Sequence, residues 1–215
     1  MHLLRRNFTI PVFKFVLLSF LLLASQVSFA SQRYSQAVIE YGNMIKENLY
    51  KETKENSDNS KDKKLERLVG FIAKEMDLNK ISKRVLGSYF KELSEEDKEK
   101  YLQEFRVFLF NDLKVNSGVA LLVPYKNVKM RKHPVHVSNR NFDIIYDIAD
   151  APIEGFNETA DIILILSVTI SEDLKDCKIT NISVNNIDII SSQRRLFRSY
   201  IDENGLSSIF ELMED

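Results

Sequence analysis

The chain has a single cysteine, Cys177, among its 215 residues. No intrachain disulfide can form, so the fold must be held by its apolar core. Nothing near Cys177 in sequence supplies a base or a helix terminus to activate the thiol, and it reads as a small hydrophobe rather than a nucleophile. There is no His-Glu-x-x-His, no Gly-x-Ser-x-Gly and no phosphate-cradling glycine loop, which removes the common signatures of zinc proteases, serine hydrolases and nucleotide-binding enzymes. Histidine is scarce too: only His2, His133 and His136 occur. The last two flank Pro134 closely enough for their imidazoles to meet, but no cysteine neighbours them. A surface pair is a simpler reading than a zinc site, and no metal or cofactor is expected. A basic excess is also missing, with 30 basic and 31 acidic side chains, so nothing recommends nucleic acid as a partner.

No apolar run reaches the roughly 20 residues of a spanning helix. The run from Phe15 to Ala24, broken only by Ser19, is about half that length. It follows Arg5, Arg6 and Lys14 and precedes Ser28-Phe29-Ala30, where small residues bracket a cleavage point. That pattern is a secretory signal peptide cleaved near Ala30, with an uncleaved anchor as the alternative. Export to the periplasm is the expectation. No cysteine lies near the cleavage point, so a lipoprotein anchor has no attachment residue. Of the 30 basic residues, three (Arg5, Arg6 and Lys14) belong to the leader, which has no acid, and residues 31–215 therefore carry a net charge of −4. Their length suits one ordinary domain.

Residues 31–215 divide into a helical front and a strand-rich back. Val38, Tyr41, Ile45 and Leu49 recur at helical spacing. Lys51 to Lys64 is nearly all polar and reads as a solvated helix end running into a loop. Leu65, Leu68, Val69, Ile72 and Met76 restore the stripe, and Ile81, Val85, Leu86, Tyr89 and Phe90 carry it through a short helix around Gly87. Ser94-Glu95-Glu96-Asp97 is a capping start, with a hydroxyl for an orphan amide and three acids at the positive dipole end. The long helix it opens has a broad, ring-rich face of Tyr101, Leu102, Phe105, Phe108, Leu109 and Leu113.

From Val119 the period changes. Val128, Met130 and Val135 to Val137 suggest strands around Pro134. Phe142, Ile144, Tyr146 and Ile148 alternate with Asp143, Ile145 and Asp147, the period of a sheet. Ala160 to Ile170 reads as a strand buried on both faces, and Ile179 to Ile189 as a last strand pair or one bent strand. Helix returns after Ser191 with Leu196, Phe197, Tyr200 and Ile201, stops at Gly205, and resumes briefly through Leu206, Ile209, Phe210 and Leu212. The expected fold is α+β: a helical N-terminal half and C-terminal helices packed on a twisted, mainly antiparallel sheet. Asp143 and Asp147 share a strand face. Solvent-facing acids are the simpler reading, with a proton-abstracting isomerase as the catalytic alternative.

Two segments resemble a known family. Asp77-Leu78, Val85-Leu86-Gly87-Ser88-Tyr89-Phe90, Leu93-Ser94-Glu95-Glu96 and Phe105-Arg106 are similar to one conserved block of the MlaC, or toluene-tolerance auxiliary, family. Ile179 to Ile190, Gln193-Arg194, Phe197 and Gly205-Leu206 resemble its C-terminal block. The chain has no tryptophan, and Phe90 and Cys177 stand where that family carries one. Asn181, Asn186 and Asp188 replace its usual aspartate, glycine and serine.

The resemblance implies a periplasmic phospholipid carrier rather than an enzyme. It implies transfer of lipid between an outer-membrane lipoprotein and porin complex and an inner-membrane ABC transporter with an MCE-type substrate-binding component, maintaining outer-membrane lipid asymmetry. A lipid tail crossing water costs about 0.8 kcal/mol per methylene, on the order of 11 kcal/mol for fourteen, so a carrier must enclose its tails in an apolar cavity. Leu86, Tyr89, Tyr101, Phe105, Phe108 and Leu109 are the candidate lining, set between the ring-rich helix and the sheet. Composition alone favours the same residues packing against each other. An isomerase-like enzyme needs a buried carboxylate in its cavity, and a non-lipid-binding adaptor needs a filled core with an exposed apolar patch. Arg194 is expected to lay its stem over the core edge and pair its guanidinium with an acid or a carbonyl, a structural role preferred to its alternative, contact with a lipid headgroup.

Overall fold

The computed structural model describes residues 32–51, 61–116, 127–138, 140–152 and 158–214. The expected signal peptide and most of the polar stretch after Lys51 lie outside these residues. Helix α1 covers 32–51, followed by α2 (Lys61–Glu75) and α3 (Leu78–Leu86), a 3-10 turn (Gly87–Lys91) and the long α4 (Glu95–Asn116). Six strands follow among the described residues: β1 (Val128–Met130), β2 (Val135–Ser138), β3 (Asn141–Pro152), β4 (Thr159–Ile170), β5 (Cys177–Val184) and β6 (Ile187–Asp188). Helix α5 (Ile189–Asn204), a 3-10 turn (Leu206–Ser208) and α6 (Ile209–Glu214) close the chain. The fold is α+β.

Local chemistry sets the helix ends. The Asp77 carboxylate accepts from the Lys80 amide at 3.0 Å to cap α3, and Gly87, at φ 62°, ends it in a conformation that disfavours any side chain. The Ser94 hydroxyl accepts from the Asp97 amide at 3.0 Å and donates to the Asp97 carboxylate at 2.7 Å, so α4 starts where the capping sequence places it. Helix α2 begins at Lys61 rather than after Lys64. The charged residues there are its solvated first turn, because a helix can extend past its apolar stripe when its polar turn faces water.

The sheet runs β1-β3-β4-β5-β6, with β2 also paired to β3, and every pairing between strands is antiparallel. Phe142, Ile144, Tyr146 and Ile148 of β3 and Leu164, Leu166, Val168 and Ile170 of β4 are buried on one face. The opposite face of β4, with Ile163, Ile165, Ser167 and Thr169, is only half-buried. The strand therefore alternates, contrary to the expectation of burial on both faces. β-Branched apolar residues are tolerated on a partly open face where they pack on cross-strand neighbours, as Ile165 does opposite Ile145.

Strand β5 holds the four-residue buried run, Ile179 to Ile182, at a register shift against Ser167 and Val168 of β4. A bulge re-aims successive side chains, so both faces of this short stretch are enclosed. Asn185 and Asn186, at φ 49° and 67°, form the two-residue turn into β6, a conformation that asparagine tolerates and that matches the strand twist. Helix then begins at Ile189, not after Ser191, because Asp188 caps it: its carboxylate accepts from the Ser191 amide at 2.6 Å and from Asn181 Nδ2 at 2.6 Å. Helices α2, α3 and α5 meet the sheet at β5, while α1 lies on β3. The Asp77 amide donates to the Ile179 carbonyl at 2.9 Å, pinning the α2–α3 corner to the strand.

Candidate functional site

The face of α4 is built around rings. Tyr101 and Phe105 are fully buried one helical turn apart, and both meet Phe197 of α5, at 6.2 and 5.9 Å between centroids, edge to face. Phe108 continues the row, 5.4 Å from Phe197 and 6.3 Å from Phe105, and is only partly buried. Phe90 meets the edge of Tyr101 at 6.2 Å, in a geometry that aligns positive ring edges with negative faces. Desolvation pushes the Tyr101 phenol well above its ordinary range, and its hydroxyl donates to the Ser82 carbonyl at 3.0 Å, fixing α4 on α3.

The structure thus brings together Leu86, Tyr101, Phe105 and Leu109 in one buried cluster, with Phe108 and Tyr89 packed at its margin. Their principal partner ring, Phe197, comes from α5 rather than from the sheet. Tyr89 turns its hydroxyl outward to Asp202 at 2.7 Å, and that bond raises its pKa.

A cavity of about 350 Å³ opens one turn beyond Leu109, where the end of α4 passes the β5–β6 hairpin and the start of α5. Val184, Ile187 and Ile189 form its apolar wall, and Asp112, Ser192 and Gln193 its polar one. None of the six sequence-selected residues lines it. Gln193 is 7% exposed and its Oε1 is buried without a hydrogen-bond partner. Ile187, which the sequence places only in the last strand pair, is 64% exposed beside this cavity.

His133 and His136 are both exposed, and His136 lies 5.0 Å from the Phe142 ring. Asp147 is clamped by Arg131, with three hydrogen bonds of 2.7 to 3.2 Å, which hold its carboxyl below the ordinary range. Burial, followed by the nearby Glu75 charge, pushes the Cys177 thiol up to about 12. Arg194 forms no ion pair or hydrogen bond among the described residues. Its Nη2 lies 3.4 Å from where a Cβ on Gly87 would stand, so the guanidinium covers a glycine instead of meeting an acid or carbonyl. Among the described residues no helix is long and apolar enough to cross a membrane.

No curated protein sequence matches the chain. Its fold is similar to that of the phospholipid-binding protein from Ralstonia solanacearum, solved in complex with a phospholipid: TM-score 0.58, 13% identity, covering 84% of this chain and 94% of that one. The family model described as MlaC protein matches residues 42–215, a span that takes in the capped α4, the sheet and the ring of Phe197. The chain belongs to the MlaC family.

Proposed function

We propose that the protein is a periplasmic phospholipid carrier, a binding protein rather than an enzyme. The observation that carries this reading is membership of the MlaC family from residue 42 to 215; the fold shared with a protein solved in complex with a phospholipid adds to it. In this reading the carrier passes lipid between an outer-membrane lipoprotein and porin complex and an inner-membrane ABC transporter with an MCE-type component, and so maintains lipid asymmetry. The leader at residues 1–30 exports it, and residues 31–215 act as one domain.

The six residues Leu86, Tyr89, Tyr101, Phe105, Phe108 and Leu109 form the proposed apolar boundary of the lipid. Phe108 and Tyr89, not fully enclosed, touch it directly, while Tyr101 and Phe105 back them from the core. The cavity at Val184, Ile187 and Ile189 extends the apolar surface along the same side of α4. Against an isomerase, Arg131 stabilises the ionised form of Asp147 and weakens it as a base.

Native mass spectrometry of the chain purified from a bacterial host tests the proposal. One phospholipid per chain is the expected result. A chain that arrives without lipid and takes none up from mixed micelles overturns it.

A further inference from the structure

A second cleft, about 360 Å³ and far more polar, lies where α3 crosses the half-buried face of the sheet. Lys80 and Arg84, four residues apart and so on one side of α3, form one wall. Asn141, Asp143 and Ser167 rise from β3 and β4 opposite them, and Ser138 of β2 closes one end.

The charges here are arranged for something other than each other. Lys80 Nζ donates to the Thr169 hydroxyl at 3.1 Å, and that hydroxyl donates to Asn141 Oδ1 at 2.6 Å. The ammonium is thereby held over the cleft by a neutral group. Arg84 is exposed, and among the described residues neither cation is ion-paired. Two carboxylates line the same cleft without answering them. Asp188 spends its oxygens on the Ser191 amide and on Asn181, while Asp143 stands across the cleft with no ion pair to either cation. The cleft therefore presents two cations on one wall and a carboxylate on the other, none of them committed to an ion pair among the described residues.

We propose that this cleft binds a small zwitterion, with its phosphate or carboxylate on Lys80 and Arg84 and its primary ammonium on Asp143. The guanidinium fork suits either planar carboxylate or phosphate oxygens. The hydroxyls and amides of Ser138, Ser167 and Asn141 complete a polar lining that has room for a molecule of a few heavy atoms. Two sources share this chemistry: the ethanolamine headgroup of a phospholipid and a free amino acid. The headgroup source rests on the carrier reading and the amino-acid source does not; neither zwitterion tested below has an acyl chain, so failure here is distinct from failure to carry lipid.

Isothermal titration of the full chain with glycerophosphoethanolamine, with glycine and with inorganic phosphate tests it. Saturable binding of at least one zwitterion is expected, weakened tenfold or more by Arg84→Gln and by Asp143→Asn, in variants whose melting curves match the parent. Tighter binding of glycerophosphoethanolamine identifies a headgroup site, and tighter binding of glycine a free amino-acid site. Lys80→Gln provides a second cationic variant. Three results overturn the proposal: no saturable binding of either zwitterion, binding indifferent to all three substitutions, or inorganic phosphate binding as tightly as the zwitterions with no loss in Asp143→Asn.

Discussion

The Tyr146 hydroxyl donates to the Gly42 carbonyl at 2.8 Å, joining the middle of β3 to α1 across 104 residues of sequence. The glycine keeps the approach close. A Cβ at residue 42 would stand 2.6 Å from Met130 Sδ and 3.1 Å from Ile144 Cγ2, so the helix lies directly on the strand. Tyr146→Phe removes a buried hydrogen bond while keeping the ring. It should cost about 1 kcal/mol, read as a lower denaturant midpoint with an unchanged slope. An unchanged midpoint would mean that ring packing alone seats α1.

Cys177 provides a test in solution. Its thiol pKa is raised from 9.0 to about 12, which lowers the thiolate fraction at mildly alkaline pH by about a thousandfold, and the thiolate is the reacting species. Alkylation by iodoacetamide at pH 8 should be very slow in the folded chain and become ordinary in denaturant. The linkage has a definite sign: the folded pKa lies above the unfolded one, so the stabilisation is present below about pH 9 and fades as pH rises through the range between them. Fast alkylation of the native chain would place the thiol in water.

Most of the helical half was legible because its signals are local. The Ser94 cap, the Gly205 stop and the stripe through Val69 and Ile72 each act within a few residues, whereas the helical spacing ran through Gly87, which instead ends α3. The α4 rings were legible as a buried face but not as partners of Phe197, since that contact is a tertiary choice that helical spacing does not encode. The apolar composition of β4 hid its alternation, because isoleucine fits an inner face and a half-covered outer one alike. Asp188 was visible only as a departure from the family pattern; its role as a cap depends on the Asn185-Asn186 turn that precedes it. The two cavities escaped for a similar reason, being assembled from a helix end, a hairpin and a bulged strand that meet only in the fold.

Asp188 and Asn181 therefore form a small device at the start of α5. Asn181 Nδ2 donates to one carboxylate oxygen while the Ser191 amide uses the other. Asp188→Ala should cost about 1 kcal/mol, the usual loss for a helix cap. Asp188→Ser keeps a capping oxygen and should recover most of it. Equal losses in the two variants, measured by urea titration, would show that the charge rather than the cap matters.

The Arg131–Asp147 pair predicts a pH effect of limited size, since both side chains are nearly half-exposed. The folded-state pKa of Asp147 is lowered below its ordinary 3.8, first by hydrogen bonding to Arg131. The pair stabilises the fold above that value, and its contribution is lost as pH falls through the depressed pKa. Asp147→Asn should flatten the acid limb of the stability curve and leave the neutral-to-alkaline limb parallel to the parent. An acid limb identical in both proteins would mean that the clamp adds nothing measurable.

The rings of α4 separate a packing role from a lipid-contacting one. Phe105 is fully enclosed between Tyr101 and Phe197, so Phe105→Ala leaves a cavity costing about 3 to 5 kcal/mol, and a charge there would have no partner at all. Phe108 lies at the margin of the same cluster and is only partly buried. Phe108→Asp can place its carboxylate toward solvent when the chain is empty, but sets it against acyl chains when loaded. The expected pattern is a large fall in melting temperature for Phe105→Ala, and for Phe108→Asp a smaller fall accompanied by loss of co-purified phospholipid in native mass spectra. If Phe108→Asp folds and retains one lipid per chain, the acyl chains do not run along the margin of the ring cluster and the proposed lining must be moved to another face of α4.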